Sequence, residues 1–240
     1  MDDVADIYTE PEADPDTLAN LGPLAAMAGE WEGSPGRDEH PVADGTERDV
    51  FVERYSAEPI DAQTNGPQLL YGLRYHTHIV QPDEVETFHD QVGYWLWEPA
   101  TETVMMTLGI PRGQVLLAAG PAAPDATSFE LTATGGAAVY GISSNQFLDD
   151  HFRTSRYRIR IDINDDGSWS YEEEGTLHPS DKDEPFAHID RNTLHRVAEP
   201  TPNPLAAAAS DTTETPIAAP PTAVGGLGIG SLRHESENLP

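Results

Sequence analysis

The stretch RYRIRIDINDDGSWSYEEE, Arg156 to Glu174, decides the fold. Tyr157, Ile159, Ile161 and Ile163 alternate with charged residues, and Trp169 and Tyr171 alternate with polar ones beyond the turn. A period of two puts the apolar set on one face of a strand. Asp166-Gly167 between the two runs is a tight-turn signal, because glycine adopts the positive φ that such turns require. The segment therefore reads as an antiparallel hairpin.

Working outward, the same pattern recurs. Candidate strands lie at roughly 48–59, 68–81, 87–98, 102–110, 114–120, 127–134, 153–164, 167–177 and 186–197, and EPATETV, Glu98 to Val104, reads as a further tight connection. Only DTLANLGPLAAMAGEW, Asp16 to Trp31, has a sustained helical period, through Leu18, Leu21, Leu24 and Met27, and Pro23 divides it. NQFLDDHF, Asn145 to Phe152, allows a turn or two of helix. Many strands with short links and almost no helix after the start indicate an all-β fold. We expect a closed antiparallel barrel of about ten strands with a short N-terminal helical plug. The expected organisation is an acidic disordered arm over 1–15, the barrel over 16–198, and a disordered Pro/Ala/Thr-rich tail over 199–240.

Composition narrows the chemistry. The 240 residues include no cysteine, which excludes disulfides, thiolate metal sites and cysteine nucleophiles. Forty-two acidic residues against 13 basic ones give a formal charge of -29, and the sole lysine is Lys182. Such a surface repels polyanions, so neither nucleic acid nor an anionic membrane is an expected partner. No apolar run reaches membrane-spanning length, and the acidic N-terminus lacks the basic and apolar regions of a signal peptide, so the expected compartment is the cytoplasm. Association as a homodimer is left open.

Walker, dinucleotide and G-x-S-x-G motifs are absent. In a chain this acidic, Asp149-Asp150, Asp165-Asp166 and Glu172 to Glu174 read as solvated turns and strand faces, not as catalytic pairs. Histidines are the more informative residues. YHTH places His76 and His78 on one face of a strand; with His89 they form a candidate metal site for a His-x-His barrel enzyme. His188, in PFAHIDRNTLHRV, occupies a strand position that an apolar residue would ordinarily fill. A barrel with aromatic strand positions and one such histidine suits a flat apolar ligand, with iron on the histidine.

Taken in order, GEWEG (Gly29 to Gly33), LLYGLRYHTH, FHDQVGYW with His89, Gly93 and Tyr94, the hairpin quoted above and PFAHIDRNTLHRV resemble the strands of the nitrobindin family over about residues 20–197. The resemblance implies a heme-binding β-barrel of the calycin, fatty-acid-binding-protein-like shape. It implies ferric heme b as cofactor, with His188 as the axial ligand and metal-binding residue. Trp31 and Gly33 would shape the barrel near the pocket, and His89 would lie on its wall or distal side. It further implies reactivity towards nitric oxide and isomerisation of peroxynitrite to nitrate. Where the family's opening motif has a third glycine, this chain has Pro35 followed by Gly36. The alternative reading is a carrier that holds a fatty acid or another small apolar molecule in the same barrel without iron. The direction in which His188 points is the deciding observation.

Overall fold

A computed structural model of the protein describes residues 6–211. The chain enters through helix α1 (Thr17–Asn20), capped by the Asp16 carboxylate, and a 3-10 segment (Gly22–Met27). Eleven strands follow: β1 (Gly29–Val42), β2 (Gly45–Asn65), β3 (Gln68–Val80), β4 (Thr87–Glu98), β5 (Thr103–Ile110), β6 (Gln114–Pro121), β7 (Ser128–Gly135), β8 (Gly141–Ser144), β9 (Phe152–Ile163), β10 (Trp169–Pro179) and β11 (Phe186–Ala198). Helix α2 (Gln146–His151) precedes β9, and α3 (Pro204–Asp211) follows β11.

The strands close into a barrel in the order β1-β11-β10-β9-β7-β8-β6-β5-β4-β3-β2, with β2 returning to β1. The expected all-β closed barrel is what the chain forms. Its ladder is antiparallel except where the short β8 runs parallel to β7. The hairpin β9–β10 turns through Asn164–Ser168, with Gly167 at φ 83° and its N–H donating to the Asn164 carbonyl. Closure leaves no free sheet edge, so the backbone polar groups of the strands are paired around the ring.

The N-terminal segment plugs one end. Leu21, Leu24 and Met27 are fully buried. Gly22, at φ 53°, lies against the indole of Trp97, so closely that any Cβ there would overlap the ring. Above the plug, Trp31 stands edge-on to Trp169, Tyr55 packs against Trp169 and stacks on Tyr75, and Trp95 tilts against Tyr75. These rings form a floor across the barrel, and their edge-to-face arrangement is the favourable one for aromatic quadrupoles.

Two segments expected to be disordered are partly docked. The Asp14 N–H donates to the Tyr71 hydroxyl. Asn203, 1% exposed, accepts from the Thr17 N–H and donates to the Pro15 carbonyl and the Asp61 carboxylate, which ties the start of the tail to the plug. Polar anchoring by one asparagine carries no periodic signal, which is why the sequence hides it. Residues 1–5 and 212–240 lie outside the described residues, so most of the proposed tail does too.

Candidate functional site

Between the aromatic floor and the end opposite the plug lies a cavity of about 300 Å³. It reaches the surface beside His40, Arg112 and His188. The aromatic floor supplies its base, while its upper wall carries Asp38, Glu53, Glu173, Asp190 and three histidines, His40, His89 and His188.

Strand register explains who faces inward. The pairing of β10 with β11 runs without a shift from Trp169↔Leu194 to Leu177↔Phe186. His188 therefore keeps the parity of the buried Asn192 and Leu194 and faces the cavity, while His195 faces out. On β1 the parity changes. Trp31 and Gly33 face in, but a bulge between Gly33 and Gly36 moves the inward set to Gly36, Asp38 and His40. Gly36 is required there, because its backbone lies directly on the Phe51 ring. Without that shift Arg37 and Glu39 would point inward instead.

Asp38 organises the mouth. It is only 3% exposed, and its two oxygens accept from two histidines: Nε2 of His188 at 2.8 Å and Nδ1 of His40 at 2.6 Å. Burial alone would raise its pKa, but the bonds from His188 and His40 hold it below the usual carboxylate range. Asp190 lies beside it, with a carboxylate oxygen 3.6 Å from Nε2 of His188. Burial, then the neighbouring Glu173 and Asp38, push Asp190 well above the usual range. Burial likewise pushes Glu173 up to about 7. Glu53, 1% exposed, is also raised to about 7 by burial, although it accepts from the Tyr171 hydroxyl and the Asn192 amide, both at 2.9 Å.

His89 belongs to a second network. Arg112 donates to its Nδ1 at 3.2 Å, which leaves Nε2–H to donate to Gln91 at 3.2 Å. The Gln91 amide donates to the Tyr75 hydroxyl at 2.9 Å, and that hydroxyl donates to the Thr107 carbonyl. Burial lowers the His89 pKa, and the Arg112 charge lowers it further, so this ring is held neutral.

The residues expected at the site are distributed as follows. His188 and His89 line the cavity, while Trp31 and Gly33 do not. Trp31 is 1% exposed in the floor, donates to the Met27 carbonyl and lies under the Arg196 guanidinium. Gly33 gives room to Asn192 and Leu194. The His-x-His site does not form. His76 and His78 sit on the outer face, bonded to Asp90 and Thr87, because their neighbours Tyr75, Thr77 and Ile79 are the inward residues of β3. Glu172 and Glu174 bind Arg158 outside, as the sequence suggested, but Glu173 between them faces in. That residue, Asp38, Glu53 and Asp190 were missed. The available signal was parity: Glu173 continues the inward series of Trp169 and Tyr171, and Asp190 that of His188.

The model of the THAP4-like, heme-binding β-barrel domain matches residues 20–196. The chain belongs to that family. The nitrobindin resemblance read from GEWEG, FHDQVGYW and the closing strand thus holds over the whole barrel. Among solved structures, that of Rv2717c from M. tuberculosis superposes with a TM-score of 0.50 at 20% identity, covering 77% of this chain and 99% of that one; it supports the fold. Comparison with curated proteins finds no match.

Proposed function

We propose that this family member binds ferric heme b in its cavity, with His188 as the protein ligand to iron. The observation that carries the reading is the placement of His188. It faces the cavity, it is 34% exposed there, and Asp38 accepts from one of its ring nitrogens. A metal-bound histidine needs such a second partner, which fixes the ring and raises its basicity. The donor chemistry fits the group in two further respects. Aromatic rings supply apolar walls, and Arg112 is the arginine of the cavity lining, available to a propionate. The raised pKa values of Glu53 and Glu173 keep these two side chains largely uncharged below pH 7, so they oppose an anionic ligand least in that range.

Bound there, ferric heme supplies a Lewis-acidic, redox-active iron, and we extend the reading to reaction with nitric oxide and isomerisation of peroxynitrite to nitrate. The chain's own contribution is orientation and proton placement. Asp38 holds the His188 ring, and the Arg112–His89–Gln91–Tyr75 series fixes a neutral imidazole on the wall. The cavity volume, at the lower end for small-molecule sites, also favours a second reading: a carrier of a compact apolar molecule without iron. Titration with hemin separates the two. The heme reading expects a Soret band in the wild type that His188→Ala removes. A band indifferent to that substitution, or none at all, leaves the carrier.

A further inference from the structure

A row of acidic residues crosses the barrel wall beside His188. Asp49 on β2, Asp38 on β1, Asp190 on β11 and Glu173 on β10 are direct cross-strand partners of one another in turn. Like charges directly opposite destabilise a sheet. The acidity of the surface gives no reason to turn them inward, since net charge acts on solubility there. Among the described residues, no arginine or lysine pairs with Asp38, Asp190 or Glu173.

We propose that Asp38, His188 and Asp190 form a site for one bare divalent transition-metal ion, bound by the protein alone. The inference rests on the reading of His188 as the metal-facing residue and adds a second occupant for it. Nε2 of His188, a carboxylate oxygen of Asp38 and one of Asp190 all lie within 4.8 Å of one another. From Nε2 the two oxygens are 2.8 and 3.6 Å away. Ligands about 2.1 Å from a shared ion reach such separations at angles of about 85° and 120°, within the range of zinc-type coordination. Filling the site replaces the His188–Asp38 hydrogen bond with two metal bonds, and the proton of the neutral ring then sits on Nδ1 instead of Nε2. His40 then orients the metal from behind, through its 2.6 Å bond to the other oxygen of Asp38.

Outside this triad, the lining of the same cavity holds an unpartnered polar group. Trp169, 2% exposed and lining the cavity, has an indole Nε1–H with no acceptor. A metal-bound water or small anion that reaches the floor of the cavity would give this N–H a partner. Imidazole with carboxylates suits zinc, manganese or iron(II), not a soft ion.

The heme reading needs Nε2–H of His188 bonded to Asp38 to hold the ring, and a bare ion takes both of these atoms, so the two occupants compete. The test uses the full-length, heme-free protein titrated with Co²⁺, whose visible absorption reports coordination, with Zn²⁺ competition followed by calorimetry. We expect one ion per chain. Asp190→Asn, which keeps the shape and relieves the acidic row, should weaken binding at least tenfold, and loading with hemin should block it. His76→Ala, on the outer face, serves as the folded control and should leave binding unchanged. Absence of wild-type binding, or binding indifferent to Asp190→Asn, overturns the site. If hemin binds through His188 and Co²⁺ does not, this inference fails and the heme reading stands. Cobalt binding that depends on His188 and Asp190 in a protein that refuses hemin gives the reverse.

Discussion

The two ends of the barrel are closed by opposite chemistry. At the plugged end, Leu21, Leu24, Met27, Trp31 and Trp97 are each no more than 2% exposed. At the mouth, four acidic side chains and three histidines line the wall, and hydrogen bonds replace packing. The first end needs nothing beyond the chain to be stable. The second carries buried carboxyls whose desolvation works against folding, and such groups are retained where a site uses them. Stability and function are thus separated along the barrel axis, and substitutions at the two ends should separate in the same way.

The largest effect is expected at the plug. Trp97→Ala removes the ring against which Gly22 lies, and should cost about 3–5 kcal/mol of stability in urea melts. Hemin bound per folded molecule should stay unchanged; a loss of affinity in the folded fraction would show that the ends are coupled.

Next comes Glu53. Its folded pKa of about 7 lies above its ordinary value of 4.5, so the folded state holds this proton more tightly than the unfolded state. Its favourable contribution is full below about pH 4.5 and is lost as pH rises through about 7. Glu53→Gln keeps an acceptor for Tyr171 and Asn192 without the charge. It should gain roughly 3 kcal/mol over wild type at pH 8 and little at pH 4. Equal stability of the two proteins at both pH values would mean that the carboxyl is hydrated.

A smaller change is expected at the wall. Arg112→Met removes the charge facing His89, so the His89 pKa should rise in a proton NMR titration. It should remain below the ordinary histidine value, because burial is the larger cause. The smallest effect belongs to the outer face. His76→Ala breaks an exposed contact with Asp90 and should change stability by less than about 1 kcal/mol.

The ease of reading each end from the sequence follows the same division. The plug and the β9–β10 hairpin rest on periodicity and one glycine turn, and both were visible in Leu21, Leu24, Met27 and Asp166-Gly167. The direction of His188 was left open by the sequence; the unbroken register of β10 with β11 settles it, by giving His188 the parity of Leu194. The mouth was harder for two physical reasons. Each inward carboxyl is one among 42 acidic residues, so residue type carried no signal. The bulge at Gly33–Gly36 then exchanged the faces of β1, which put Asp38 and His40 where alternation from Trp31 places Arg37 and Glu39. A shift of one residue is invisible to composition and decisive for the site. The docked start of the tail was hidden in the same manner, in one buried asparagine.

The claim that most needs a direct test is that His188 is the residue through which this barrel holds a metal centre. Chemical rescue addresses it. Hemin is added to wild type, to His188→Gly, and to His188→Gly in the presence of free imidazole, and the Soret band is recorded. A band is expected in the wild type, its loss in the variant, and its return when imidazole fills the space left by the side chain. A variant that keeps the wild-type band without imidazole would contradict it.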